Sequence, residues 1–160
     1  MTANLQLPAI DPVTIAEIEK TAYPPPFNER VRGRRRRRLG DAAGLTQFGV
    51  NLTTLLPGAQ SALRHWHTLE DEFVYVLAGE LVLVTDAGEQ VLQAGQCAGF
   101  AAGKRDGHHL INRGAGPAQY LEIGSRFGAD LAGYPDDDVA LMHTIDGEQT
   151  IHKDGRPYSS

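Results

Sequence analysis

From Phe48 onward the chain carries short apolar runs, at 47-55, 61-67, 72-78, 80-85, 89-93, 96-101, 107-113 and 118-124. Turn residues separate them, notably Pro57-Gly58, Ala78-Gly79, Asp86-Ala87-Gly88 and Gly114-Ala115-Gly116-Pro117. Runs of this length, bounded by Gly and Pro with no helical periodicity between them, predict strands of an all-β sandwich or barrel. Successive strand side chains point to opposite faces. His65 and His67 therefore share a face, with Trp66 on the other. In the last histidine-bearing run, His108, Leu110 and Asn112 oppose His109, Ile111 and Arg113.

The flanks read differently. Residues 1-44 form an N-terminal arm, in which Asp11-Pro12 is expected to cap a short helix through Lys20 and Pro24-Pro25-Pro26 forces an extended passage. Residues 128-160 form a C-terminal extension with an expected hairpin, 140-145 and 149-152 about a turn at Asp146-Gly147. His143 and His152 lie there without metal-ligand spacing, so solvated or hydrogen-bonded rings are expected. Sheet edges need cover. The flanks are expected to pack on the barrel or on a second copy, giving a homodimer.

Composition narrows the partners. At 160 residues the chain is expected to form one domain, 45-127, between its flanks. A net charge of −5 and a pI near 5.6 argue against a general nucleic-acid binder. Arg30, Arg32 and the run Arg34 to Arg38 nevertheless hold seven of the fifteen basic residues. The expected role is pairing with acidic surface such as Asp136-Asp137-Asp138, or solvation. A third reading has one or two of these arginines at the barrel mouth holding an anionic substrate. The single cysteine, Cys97, excludes an intramolecular disulfide, and its small-residue surroundings predict a packed thiol. No leader and no apolar stretch of about 20 residues is evident, so no membrane partner and a cytoplasmic location are expected.

The chemistry concentrates in two segments, Gly58-x6-His65-Trp66-His67-x4-Glu72-x6-Gly79 and Gly95-x5-Ala101-x-Gly103-x4-His108-x3-Asn112. Two imidazoles on one strand face can bind one ion, and Glu72 at the start of the next strand can fold back over them. One of His108 and His109 can join, but not both. A lone His-x-His is weak evidence; the acidic residue, the downstream histidine and the turn glycines strengthen it together.

The two segments resemble the two sequence motifs of the cupin superfamily. The resemblance covers about residues 45-127 and implies a double-stranded β-helix, a small jelly-roll barrel. It places the metal ligands on His65, His67, Glu72 and His108. Departures are an extra residue before His65, Ala101 where proline is usual, and two extra residues between Gly103 and His108. His108 is preferred to His109 because it shares a face with Asn112, and Glu72 to Glu70 or Asp71 because it begins a strand.

Such a ligand set suits one divalent transition metal, Fe, Mn, Ni, Co, Cu or Zn. On a six-coordinate ion it leaves positions for substrate or water; on tetrahedral zinc it closes the shell. The expected function is a metal-dependent enzyme, an oxygenase or isomerase, acting on a small polar or anionic metabolite. Sugar-phosphate isomerisation is a specific variant, with Lys104, Arg105 or the arginine run holding phosphate. The alternative is a non-catalytic metal or small-molecule-binding sensor. No catalytic residue beyond the ligands is identifiable from the sequence.

Overall fold

The computed structural model describes residues 5-144 and 147-158. Its strands are β1 (Arg34–Arg38), β2 (Phe48–Leu55), β3 (Trp66–His67), β4 (Glu72–Ala78), β5 (Glu80–Thr85) and β6 (Gly88–Gln93). They continue with β7 (Cys97–Phe100), β8 (His109–Ile111), β9 (Ala118–Ser125), β10 (Leu131–Gly133), β11 (Ala140–Thr144) and β12 (Gly147–Ile151). All pairings between them are antiparallel, in sheets ordered β1-β2-β9-β4-β7, β12-β11-β10-β3 and β6-β5-β8. This is the expected all-β jelly roll. The turn expected at Asp146 lies outside the described residues.

One core fills the closed end of the barrel, where Leu55, Val74, Val76, Leu81, Leu83, Leu110, Ala118 and Tyr120 pack together. A second, of Leu63, Ala132, Tyr134 and Val139, lies under the C-terminal strands. The turn between β4 and β5 needs glycine twice over. Gly79 has φ +76°, and a Cβ there would sit 2.9 Å from that of Ala118. Asn112, with no exposed surface, ties off the far end: its Nδ2 donates to Leu55 O and Gly116 O while its Oδ1 accepts from Gly114 N–H.

Several expectations are corrected. The arginine run is an edge strand, pairing with β2 from Arg34↔Leu55 to Arg38↔Asn51. Of the acidic residues expected to meet the basic segment, Asp137 does pair with Arg30, whereas Asp136 pairs with Arg64 and Asp138 with His152. The helix expected from Asp11 stops after one 3-10 turn, Pro12–Thr14, capped by Asp11 Oδ1. Beyond it the chain is drawn out along β1, where Ile18 and Arg36 exchange two backbone hydrogen bonds. Run 61-67 is strand only at Trp66–His67, with a bridge from His65 to His108. Cys97 is exposed, because β7 is a sheet edge and Cys97 lies opposite Tyr75 on the outer face.

Both flanks pair within their own chain, β1 on β2 and β10 on β3. No described helix is long and apolar enough to cross a membrane.

Candidate metal centre

Strand β3 and the residue before it set the first two donors. Trp66 faces outward onto Gly133, where an added Cβ would come within 2.7 Å of the indole, so His65 and His67 face inward. Glu72 opens β4 opposite Gly124. His108 comes from the approach to β8. Phe100 stacks on its ring, with centroids 3.5 Å apart.

These four side chains meet at one atom. Glu72 Oε2 lies 2.8 Å from His108 Nε2, 3.5 Å from His65 Nε2 and 3.6 Å from His67 Nε2. Donors bound about 2.1 Å from a common ion stand roughly 3.0 Å apart at right angles and roughly 3.4 Å apart at tetrahedral angles. The carboxylate-to-imidazole spacings fall close to that range. Donor atoms of His65, His67 and Glu72 all lie within 4.8 Å of one another; His108 joins through Glu72. The residues present fit a bound cation.

Groups behind the rings fix which nitrogen faces inward. His65 Nδ1 donates to Leu63 O at 2.9 Å, and His67 Nδ1 bonds Asp130 Oδ2 at 2.5 Å. Both Nε2 atoms are thereby presented to Glu72. Asp130 is fully buried, and its Oδ1 accepts from Thr68 Oγ1 and Leu69 N–H. Glu70, Asp130 and His67 form another close group of possible donors. Its carboxylates serve as braces, since Glu70 Oε1 accepts Phe127 N–H at 2.6 Å. Asp71 caps a turn by accepting Ala102 N–H, and His109 turns away to Ala62 O.

Electrostatics follow from burial and pairing. Burial alone would raise the Glu72 pKa, but hydrogen bonds from His108 and His65 and the charge of His65 and His67 hold it well below the usual carboxylate range. Burial opposes charge on His65, yet Glu72 outweighs it and leaves the ring above the ordinary imidazole value. At His108 burial wins over Glu72 and the pKa falls. His109 is also lowered, chiefly by burial.

The cluster opens on a cavity of about 670 Å³. Its lining also includes Arg34, Arg36 and Arg38, the inward residues of β1, with Asn51, Tyr120 and Glu122. Arg34 is buried and donates to Ser61 O at 2.6 Å. Arg36 lies 3.6 Å from Glu122 Oε1, and its Nε is buried without a partner. Arg35 and Arg37 alternate outward to Glu19 and Glu17. Lys104 lines a smaller cavity of about 140 Å³ beside the cluster, and Arg105 lies over Trp66. Asp130 and Glu122 carry no motif spacing; the alternation Tyr120-Leu121-Glu122-Ile123 is the signal that could have placed Glu122 on the inner face.

Comparison with known proteins fits this architecture. The cupin domain family matches residues 51–124. A crystal structure from Silicibacter pomeroyi, described as a sugar phosphate isomerase from a cupin superfamily, is 44% identical, covers 96% of this chain and 98% of its own, and superposes with a TM-score of 0.91. The chain belongs to the cupin superfamily. A second cupin-fold structure, a candidate sugar phosphate isomerase from Acidithiobacillus ferrooxidans, is 28% identical over 79% of this cupin and 81% of its own chain, with a TM-score of 0.71. The polyketide cyclase RemF from Streptomyces resistomycificus shares the fold at 16% identity, with 75% and 80% coverage and a TM-score of 0.62. No protein of curated function matches this cupin.

Proposed function

We propose that this cupin is a metal-dependent isomerase of small phosphorylated sugars. His65, His67, Glu72 and His108 would hold one divalent transition metal ion, and Arg34 and Arg36 the phosphate. The observation that carries this reading is the alternation of β1, which puts guanidinium groups into the same cavity that the His/Glu cluster lines. A volume of about 670 Å³ suits a small metabolite. Arg36 Nε, buried without a partner, is a donor for which an anion supplies the missing acceptor. The Silicibacter protein's description points the same way.

When bound, the ion would polarise a carbonyl as a Lewis acid. The protein's part is to keep Glu72 ionised, to hold two rings in one tautomer through Leu63 and Asp130, and to fix the anionic end of the substrate. The test is turnover by the metal-loaded protein of D-ribose 5-phosphate, D-glucose 6-phosphate and D-mannose 6-phosphate, followed by proton NMR. Interconversion of aldose and ketose supports the reading. Failure of all three sinks it, and saturable binding without turnover would favour the sensor alternative.

We also propose a homodimer, on a basis other than edge cover, since the flanks pair in cis. The outer face of the five-stranded sheet leaves Phe48, Phe73, Tyr75 and Leu77 between 38% and 44% exposed. Aromatic and aliphatic side chains gathered on one sheet face are usual at subunit contacts. Light scattering is expected to give about twice the 17.3 kDa chain mass, and Phe73→Glu to lower it; a wild-type monomer at high concentration would refute the proposal. A free, exposed Cys97 fits the reducing cytoplasm, where we place the protein.

A further inference from the structure

We infer that Glu122 is the catalytic acid/base of this site, the group that carries the proton between adjacent carbons of the sugar. This rests on the isomerase reading above. An isomerase of this kind needs a carboxylate or imidazole that is not consumed as a ligand, reaches the cavity and is held in place. Among the described residues, the other carboxyl, imidazole and phenol groups on the wall outside the proposed ligand set are committed elsewhere, apart from Tyr120. Asp41 pairs with Arg126 and Arg38, Glu70 accepts Phe127 N–H, His109 binds Ala62 O, and the hydroxyls of Tyr23 and Tyr134 meet at 3.2 Å.

Glu122 is the remaining carboxylate on the wall outside the proposed ligand set, and side chains of its own sheet hold it in place. Asn51 Nδ2 donates to Oε1 at 3.1 Å and the Tyr120 hydroxyl donates to Oε2 at 3.2 Å. Burial, with the Glu122 charge beside it, pushes the Tyr120 pKa up, so its hydroxyl stays protonated and remains a donor. The Glu122 side chain keeps 20% of its surface open. Its place in the register is equally specific. Glu122 lies opposite Val74 and Gly124 opposite Glu72, so the two carboxylates occupy diagonal inward positions on neighbouring strands. Diagonal positions stand about 7–8 Å apart. A short carbon chain fits between such groups, with Arg36 beside it for the anion.

The step balances without an oxidant. In an aldose, the C–H bond at the carbon next to the carbonyl breaks, Glu122 takes the proton, and the bonding pair becomes the C=C bond of an enediol as the carbonyl oxygen gains a proton. In the second half, Glu122 returns its proton to the former carbonyl carbon. The neighbouring hydroxyl then loses its proton and becomes the new carbonyl. That proton replaces, through solvent, the one taken up by the first oxygen.

The experiment compares wild type with Glu122→Gln and Glu122→Asp, each metal-loaded, on the three sugar phosphates named above, in light and heavy water. For Glu122→Gln, kcat is expected to fall by about 10²- to 10⁴-fold, the usual contribution of general acid–base catalysis. Deuterium entry at the exchanging carbon should fall with it, and Glu122→Asp should recover part of both. Two further readouts separate this from structural damage. Metal content by elemental analysis should be unchanged. Calorimetric binding of inorganic phosphate should be as tight as in wild type or tighter, because the carboxylate 3.6 Å from Arg36 no longer competes for it. A Glu122→Gln protein whose kcat and deuterium entry stay within threefold of wild type overturns the inference and leaves the isomerase reading standing. Loss of metal or phosphate binding in that variant assigns Glu122 a structural role and also overturns it. Wild type that turns over no probe removes the isomerase reading and this role together.

Discussion

His67→Ala is expected to weaken metal binding by at least about 100-fold while the barrel stays folded. The proposed donor set loses one of four groups, and it loses the one most tightly braced, since Asp130 holds His67 Nδ1 at 2.5 Å. Changing a group behind a ligand commonly costs 10- to 100-fold in affinity, so removing the ligand itself should cost more. Stability is carried elsewhere, by the Leu55 to Tyr120 core and the sheet pairings. Elemental analysis and the visible spectrum of the Co(II) form read the first effect, and circular dichroism the second. His109→Ala is the matched control, because that ring bonds Ala62 O and does not face Glu72. Full metal retention in His67→Ala, or its loss in His109→Ala, would refute the proposed ligand set. Protons compete for the same nitrogens. Apparent affinity should fall as pH drops through the imidazole range, about 6.5 for a free ring, and Glu72 lifts His65 above it, so the loss begins at the upper end.

The second large effect is a contrast between adjacent arginines. Arg36→Met should weaken inorganic phosphate binding, and raise KM for a phosphorylated substrate, by roughly 100-fold, the equivalent of two charge-assisted hydrogen bonds. Arg35→Met and Arg37→Met should stay within about threefold of wild type. Those side chains leave the opposite face of β1 for Glu19 and Glu17, and exposed ion pairs of this kind contribute little. Calorimetric titration with phosphate decides between them. Equal weakening at all three positions would mean that only net charge matters, and the proposed anion site would be wrong.

The donor cluster was legible in the sequence because strand alternation converts spacing into direction. His65 and His67 fall on one face of a strand, and the choice of His108 over His109 followed from the face it shares with Asn112 in the cupin motif. The arginines were opaque for the opposite reason. Five identical residues carry no alternation, and their charge reads as a solvated arm, so only pairing with β2 reveals that Arg34 and Arg36 face inward and Arg35 and Arg37 outward. Glu122 was hidden by a two-sided pattern: on β4 and β9 the polar Glu72 and Glu122 line the cavity, while Phe73 and Tyr75 face out. Both faces of these strands carry apolar residues, Val74 and Val76 inward and Phe73 and Tyr75 outward, so hydropathy alone does not choose the face. Asp130 is 63 residues from His67 and joins it through the β10–β3 region. No local spacing encodes that contact. The helix expected after Asp11 failed because hydrogen bonds from Ile18 to Arg36 compete with a weak local preference and win.

The wall made by β1 gives the molecule a division of labour along the chain. The groups proposed to hold the metal come from residues 65 to 108, while the groups proposed to select the substrate come from residues 34 to 38, a segment that lies at one edge of the five-stranded sheet. On the proposed reading, recognition would change by exchanging a single border strand, with the proposed metal ligands left in place. A chimera carrying a neutral strand in place of Arg34–Arg38 would keep the reactive apparatus and be free to accept uncharged molecules. The proposed selectivity filter would then be a replaceable margin of the sheet.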